Sequence, residues 1–203
     1  MQILCFGDSI TWGSWEQEGG WSNRLRRFAY DYVEAHPDKW IEIYNLGIPG
    51  DNTCDLRERF INETSERVEK NTEPIFIFAF GANDSSFISS KGVFRCPIEE
   101  YEAHYRIVLD EARKWSKMIF LLNITPVNEA VATKGERIRR NEFIDRYNEC
   151  LKRIASEKNV DLIDVNQAYL DNDYLDLLCT DGLHPNSKGH LLIYNLIMKK
   201  IVF

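Results

Sequence analysis

Little in this sequence points toward a disulfide framework, a metal centre or a membrane. Its five cysteines, Cys5, Cys54, Cys96, Cys150 and Cys179, are odd in number, scattered and without Cys-x-x-Cys spacing. That pattern suits reduced thiols and argues against both a stapled fold and a zinc site. Asp161 and Asp164 alternate without histidine neighbours, so no metal is expected there either. No apolar run approaches the length of a membrane-spanning helix, about 20 residues. No Gly-x-Gly-x-x-Gly or Walker pattern is present to cradle a phosphate. Excess positive charge is missing too: 25 Lys and Arg against 32 Asp and Glu leave a net charge of −7. That balance argues against a nucleic-acid surface or an anionic membrane as partner. The chain enters an apolar strand at residue 2, which leaves no room for a secretory leader, and a cytoplasmic location is expected.

What is present is a regular alternation. Gln2 to Phe6 is a short apolar strand stopped by Gly7, and a helix follows with Trp21, Leu25, Phe28, Ala29 and Tyr32 at helical spacing. Ile41 to Leu46 is the second strand, followed by the Gly47 to Asp51 turn and a polar helix predicted through Lys70. Pro74 to Phe80 is nearly all apolar, as strands buried on both faces of a parallel sheet are. A polar loop, Ser85 to Arg95, leads to a helix opened by Pro97. Met118 to Ile124 is the fourth strand, Asn128 to Arg137 a longer connection, and Ile144, Tyr147, Leu151 and Ile154 mark the next helix. Val160 to Asp164 is a fifth strand. A loop with Tyr169, Tyr174 and Leu177 precedes a last helix from Ser187. With 203 residues, this predicts a single domain spanning residues 1–203, an α/β/α sandwich of three layers around about five parallel strands.

In a parallel sheet the loops after the strands share one edge, and reacting groups gather there. Gly7-Asp8-Ser9, Gly50, Gly81-Ala82-Asn83-Asp84 and Asp181-Gly182-Leu183-His184 therefore converge on one crevice. A serine hydroxyl needs a base to become a good nucleophile. Of four histidines, His36 lies at a helix end, and His104 and His190 lie within helices. His184 sits in a loop, three residues after Asp181, a spacing that lets the carboxylate hold one ring nitrogen while the other faces Ser9. Candidate oxyanion donors are the Ser9 N–H, the Gly50 N–H and the Asn83 amide.

These four blocks, in this order from residue 7 to 184, resemble those of the SGNH hydrolases, the GDSL esterase/lipase superfamily. The resemblance implies a flavodoxin-like sandwich and ester hydrolysis through an acyl-enzyme, with neither metal nor organic cofactor. It implies Ser9 as nucleophile, His184 as base, Asp181 as orienting acid, and Ser9, Gly50 and Asn83 as the oxyanion hole. Ile10 stands where the name-giving motif has leucine. Gly47 and Gly50 both fit the second block; Gly50 is preferred because it precedes Asp51. The expected partner is a small, short-acyl ester. A thioester, an acetylated sugar and a lysophospholipid suit the same site, and a non-catalytic nucleotide- or flavin-binding module is the reading from another class. No feature specifies an oligomeric state.

Around the blocks, Asp8 and Asp84 read as loop-bracing partners and Asn45 as a structural strand-end residue. Trp12 and Trp15 are candidates for lining a substrate pocket, Trp21 for packing. Glu16 and Glu18 are expected at a solvated loop edge.

Overall fold

The computed structural model describes residues 1–201. Strand β1 (Gln2–Gly7) is buried throughout and continues into a single helical turn, α1 (Ser9–Trp12), and then α2 (Gly20–Ala35). Strand β2 (Glu42–Gly47), helix α3 (Thr53–Ser65) and strand β3 (Ile75–Ala79) follow. Two short strands, β4 (Phe87–Ile88) and β5 (Val93–Phe94), lead to α4 (Ile98–Ala112) and β6 (Ile119–Leu122). The chain goes on through β7 (Arg137–Ile138), α5 (Asn141–Lys158), β8 (Asp161–Ile163) and α6 (Val165–Leu170). A 3-10 turn (Tyr174–Leu177) and α7 (Ser187–Met198) complete it.

Five strands form the parallel sheet in the order β2-β1-β3-β6-β8. Counted among themselves they run 2-1-3-4-5, the flavodoxin-like order, in which the crossover direction reverses beside β1. Alternation along β1 divides the core between the two faces of the sheet. Ile3 and Cys5 pack with Trp21, Leu25, Ile193 and Ile197 from α2 and α7. Leu4 and Phe6 pack with Leu56, Phe60, Tyr101 and Leu151 from α3, α4 and α5. On that side Phe6, Phe60, Phe76 and Phe78 form an aromatic cluster with centroids 5.2 to 6.4 Å apart. The one polar residue in β1, Gln2, is buried without cost to its amide, which donates to Arg67 O at 2.7 Å and accepts from Glu69 N at 3.0 Å.

Some expectations need correction. Helix α3 stops at Ser65 rather than Lys70: Thr64 O takes the N–H groups of both Arg67 and Val68, which turns Val68 back onto the core. The stretches from Ser85 and Asn128, expected as loops, contribute a second, antiparallel sheet of order β5-β4-β7. Each strand is two residues long, too short to show a period. The Phe87–Phe94–Phe143 ring cluster holds it against α5. The loop after β8 contains α6, whose N-terminus is capped by Asp164 through Gln167 N at 3.0 Å. No helix among the described residues is long and apolar enough to cross a membrane.

Candidate active site

Helix α1 exists because Asp8 caps it: the Asp8 carboxylate accepts from Ile10 N at 2.9 Å. Ser9 is its first residue, so its N–H is one of those a helix leaves without an intrahelical acceptor. The Ser9 hydroxyl lies 2.8 Å from His184 Nε2, and His184 Nδ1 lies 2.5 Å from Asp181 Oδ2. The other Asp181 oxygen accepts the backbone N–H groups of Leu183 and His184, both at 3.0 Å. Gly182, at φ +70°, allows the turn this needs, and its carbonyl accepts Asn128 N at 2.8 Å. Burial would raise the Asp181 carboxyl, but the His184 ring and the two N–H donors outweigh it and hold it below the ordinary range. Asp181 is thus an ionised acceptor fixed at three points, with one imidazole nitrogen left to meet Ser9.

Gly47 and Gly50 separate clearly. The Gly47 N–H is taken by Asn45 Oδ1 at 3.0 Å, and a Cβ there would sit 2.4 Å from Trp12 N. Gly50 adopts φ +93° in the turn, and open space lies where its side chain would be. Asn83, 5% exposed, donates its amide to Asp51 O at 2.9 Å and to Asp8 Oδ2 at 3.4 Å. The turn bearing Gly50 is thereby tied to the loop after β3 and to the cap of α1.

Beneath these groups lies a buried acid layer. Burial pushes the Asp8 carboxyl up to about 7, against the Ile10 N–H that lowers it and with Asp84 and Asp51 adding to the rise. Asp84 accepts from Thr53 N at 2.9 Å and Thr53 Oγ1 at 2.6 Å, bracing the start of α3. His104 meets that same hydroxyl at 3.2 Å, and His190 accepts Trp21 N at 3.2 Å; both are buried. His36 is exposed at the end of α2. Trp15, 76% exposed at φ +67°, lies nearly perpendicular to the His184 ring with centroids 6.3 Å apart. Trp12 instead lines a groove with Gly13, Asn45 and Arg27 that holds no member of the Ser9–His184–Asp181 chain. Trp21 is fully buried.

Glu16 overturns its expected place. Its side chain is covered, only 3% exposed, rather than at a solvated edge: Arg24 grips both its oxygens at 3.0 and 3.1 Å, and Gly20 N donates to it at 2.9 Å. Glu18 does lie at the surface, paired with Arg27 at 3.0 Å. Two residues not singled out by any motif, Arg95 and Arg139, lie beside the loop carrying Asn83. The run Arg137-Ile138-Arg139-Arg140 gave no signal for this, since alternation would put Arg137 and Arg139 on one face, whereas Arg137 is exposed and Arg139 buried. Among the described residues no group of three or more His, Cys, Asp or Glu side chains is placed to hold a metal.

Residues 5–192 match the GDSL-like Lipase/Acylhydrolase family. The chain belongs to that family. It is accordingly an ester-hydrolysing serine hydrolase. An acetylxylan esterase of Geobacillus stearothermophilus is 27% identical over 100% of this chain and 94% of its own length. The human isoamyl acetate-hydrolyzing esterase 1 homolog is 26% identical over 98% of this chain and 82% of its own. Among solved structures, a lipase/acylhydrolase from Enterococcus faecalis superposes with a TM-score of 0.77 at 22% identity, covering 98% of this chain and 94% of that one. The Geobacillus acetylxylan esterase superposes with a TM-score of 0.71 at 23% identity, covering 100% and 94%. In that esterase, substitutions of a serine and of a histidine are each described as catalytic mutants.

Proposed function

We propose that this GDSL-family hydrolase cleaves small, short-acyl carboxylic esters, acetates foremost, through an acyl-enzyme on Ser9. The observation that carries the reading is the unbroken Ser9–His184–Asp181 hydrogen-bond chain at 2.8 and 2.5 Å. His184 Nε2 takes the Ser9 proton as the hydroxyl oxygen attacks the ester carbonyl. The tetrahedral oxyanion is held by the N–H groups of Ser9 and Gly50 and by the Asn83 amide. Collapse expels the alcohol, which receives the proton from His184. Water, deprotonated by the same nitrogen, then releases the carboxylic acid and restores Ser9.

The short acyl group is supported by the named relatives, both described by acetate esters, acetylxylan and isoamyl acetate. Labelling with a fluorophosphonate, followed by peptide mapping, should place the adduct on Ser9. A p-nitrophenyl ester panel should give kcat/KM falling steeply beyond butyrate. Absence of both labelling and acetate turnover in folded protein overturns the proposal, and a preference for long acyl chains overturns its substrate half.

A further inference from the structure

The small antiparallel sheet places two arginines beside the candidate active site. Its middle strand, β4, pairs Phe87 with Phe94 on one side and with Ile138 on the other. Continuing that register sets Arg95 opposite Ser86 on one side and brings Arg139, just past the end of the pairing, to the other. Arg95 N donates to Ser86 O at 2.8 Å, and the Ser86 hydroxyl in turn donates to Asn83 O at 2.7 Å. The arginines are thus set on the segment that carries a proposed oxyanion donor.

Neither cation has an anionic partner among the described residues. Arg139 is 7% exposed; its Nη1 donates to Ala132 O at 3.3 Å, while its Nε is buried and unpartnered. Arg95 Nη1 is likewise buried without an acceptor. Arg139 lies within electrostatic reach of Asp181 and Asp8 as well as of Arg95 and Arg137, and Arg95 within reach of Asp51. From Arg95 a groove of about 490 Å³ runs outward, lined by Lys91, Lys134 and Arg137 with Glu136 as its carboxylate. That carboxylate already accepts the Ser90 hydroxyl at 2.5 Å. Cations gathered like this in a chain of net charge −7, with no carboxylate of the described residues in ion-pair contact and donors left unpartnered, can take up an anion. A guanidinium fork fits a carboxylate or phosphate better than any neutral group.

We propose that Arg95 and Arg139 form an anion subsite that holds a carboxylate or phosphate carried by the ester substrate. The proposal rests on the ester-hydrolase reading and narrows its substrate class to anionic esters. The subsite is tied to the proposed oxyanion hole through Ser86 and Asn83, and Arg139 is within electrostatic reach of Asp181 and Asp8, which places the proposed anion on the same small molecule as the scissile carbonyl. The basic groove beyond Arg95 gathers such molecules from solution and weakens with added salt.

The test compares 4-acetoxybenzoate with its neutral methyl ester, two acetates differing in one charge, with 4-acetoxyphenyl phosphate as the phosphate arm. At low ionic strength kcat/KM should favour an anionic acetate by about tenfold or more, and the preference should shrink in 0.5 M salt. Whichever arm is faster names the anion. Arg95→Gln, at the more exposed position, should cut the preference at least fivefold with a native-like melting transition, and Arg95→Lys should restore only part of it. Equal or better use of the neutral ester by the native protein overturns the subsite. So does an undiminished preference in folded Arg95→Gln. If no acetate is cleaved, the hydrolase reading fails instead. Calorimetric binding of 4-hydroxybenzoate against its methyl ester then decides the subsite without turnover.

Discussion

The side-chain amide of Asn83 lies 3.4 Å from a carboxylate oxygen of Asp8, the residue that caps the helical turn beginning at Ser9. This is a long, weak contact, and the stronger bond from the same nitrogen goes to Asp51 O at 2.9 Å. One amide proton is therefore held firmly and sets the plane of the group. The other is loosely engaged and free to strengthen onto a developing oxyanion.

Asn83→Ala removes that donor. Turnover of p-nitrophenyl acetate should fall about 10²–10³-fold with KM changed little, because the contact forms in the transition state. Stability should also drop by about 1 kcal/mol, since Asp51 O loses its donor. Steady-state kinetics and a denaturant melt read both. An unchanged kcat would remove Asn83 from the oxyanion hole.

Asp181→Asn tests the orienting acid. An asparagine oxygen can still accept from Leu183 N and His184 N, so the turn should persist. Its amide, however, would donate to His184 Nδ1 and leave the ring proton on Nε2, facing the Ser9 hydroxyl. The base is then blocked. A loss of about 10⁴ in kcat is expected with little change in the melt.

Trp15 separates recognition from folding. Its backbone occupies a left-handed conformation that glycine adopts freely, and its indole is largely exposed. Trp15→Gly should therefore leave stability equal or raised by a few tenths of a kcal/mol. In its proposed place against the substrate the aromatic face is worth about 1 kcal/mol, so KM should rise roughly fivefold. A changed melt with unchanged KM would make the ring a packing element.

The sandwich was legible because buried parallel strands write continuous apolar runs, as in Ile75 to Phe80, and because helices between them keep their period. The active-site candidates were legible for a related reason: Ser9, Asn83 and His184 follow strand ends or turns that local residues punctuate. The antiparallel sheet was not, since two-residue strands such as Arg137–Ile138 carry no period and are held by distant rings. Glu16 was misplaced for a similar reason. A glutamate among glycines reads as solvated, and only the fold reveals that Arg24, a turn into α2, faces it.

That pair gives the last prediction. Burial would push the Glu16 carboxyl up, but the Arg24 guanidinium and the Gly20 N–H more than reverse it, bringing it down to about 2 from 4.5. A depressed folded-state value stabilises the protein above the ordinary glutamate pKa, and the gain is lost as pH falls toward the folded one. The difference corresponds to stabilisation on the order of 3 kcal/mol at neutral pH. Asp8 acts in the opposite sense, because its raised value favours folding at low pH and loses that contribution as pH rises through about 7. Glu16→Gln should therefore lower the melting temperature at pH 7 by roughly 6–12 °C. The gap to the native protein should narrow as pH falls from 5 toward about 2, because the unfolded chain's glutamate, at 4.5, takes up a proton while the folded carboxylate is still ionised. Melts across that range decide it: a gap that stays constant would assign Glu16 a packing role and leave Glu18 as the carboxylate that balances Arg24, with the Gly20 carbonyl and the Ser187 hydroxyl as its other acceptors.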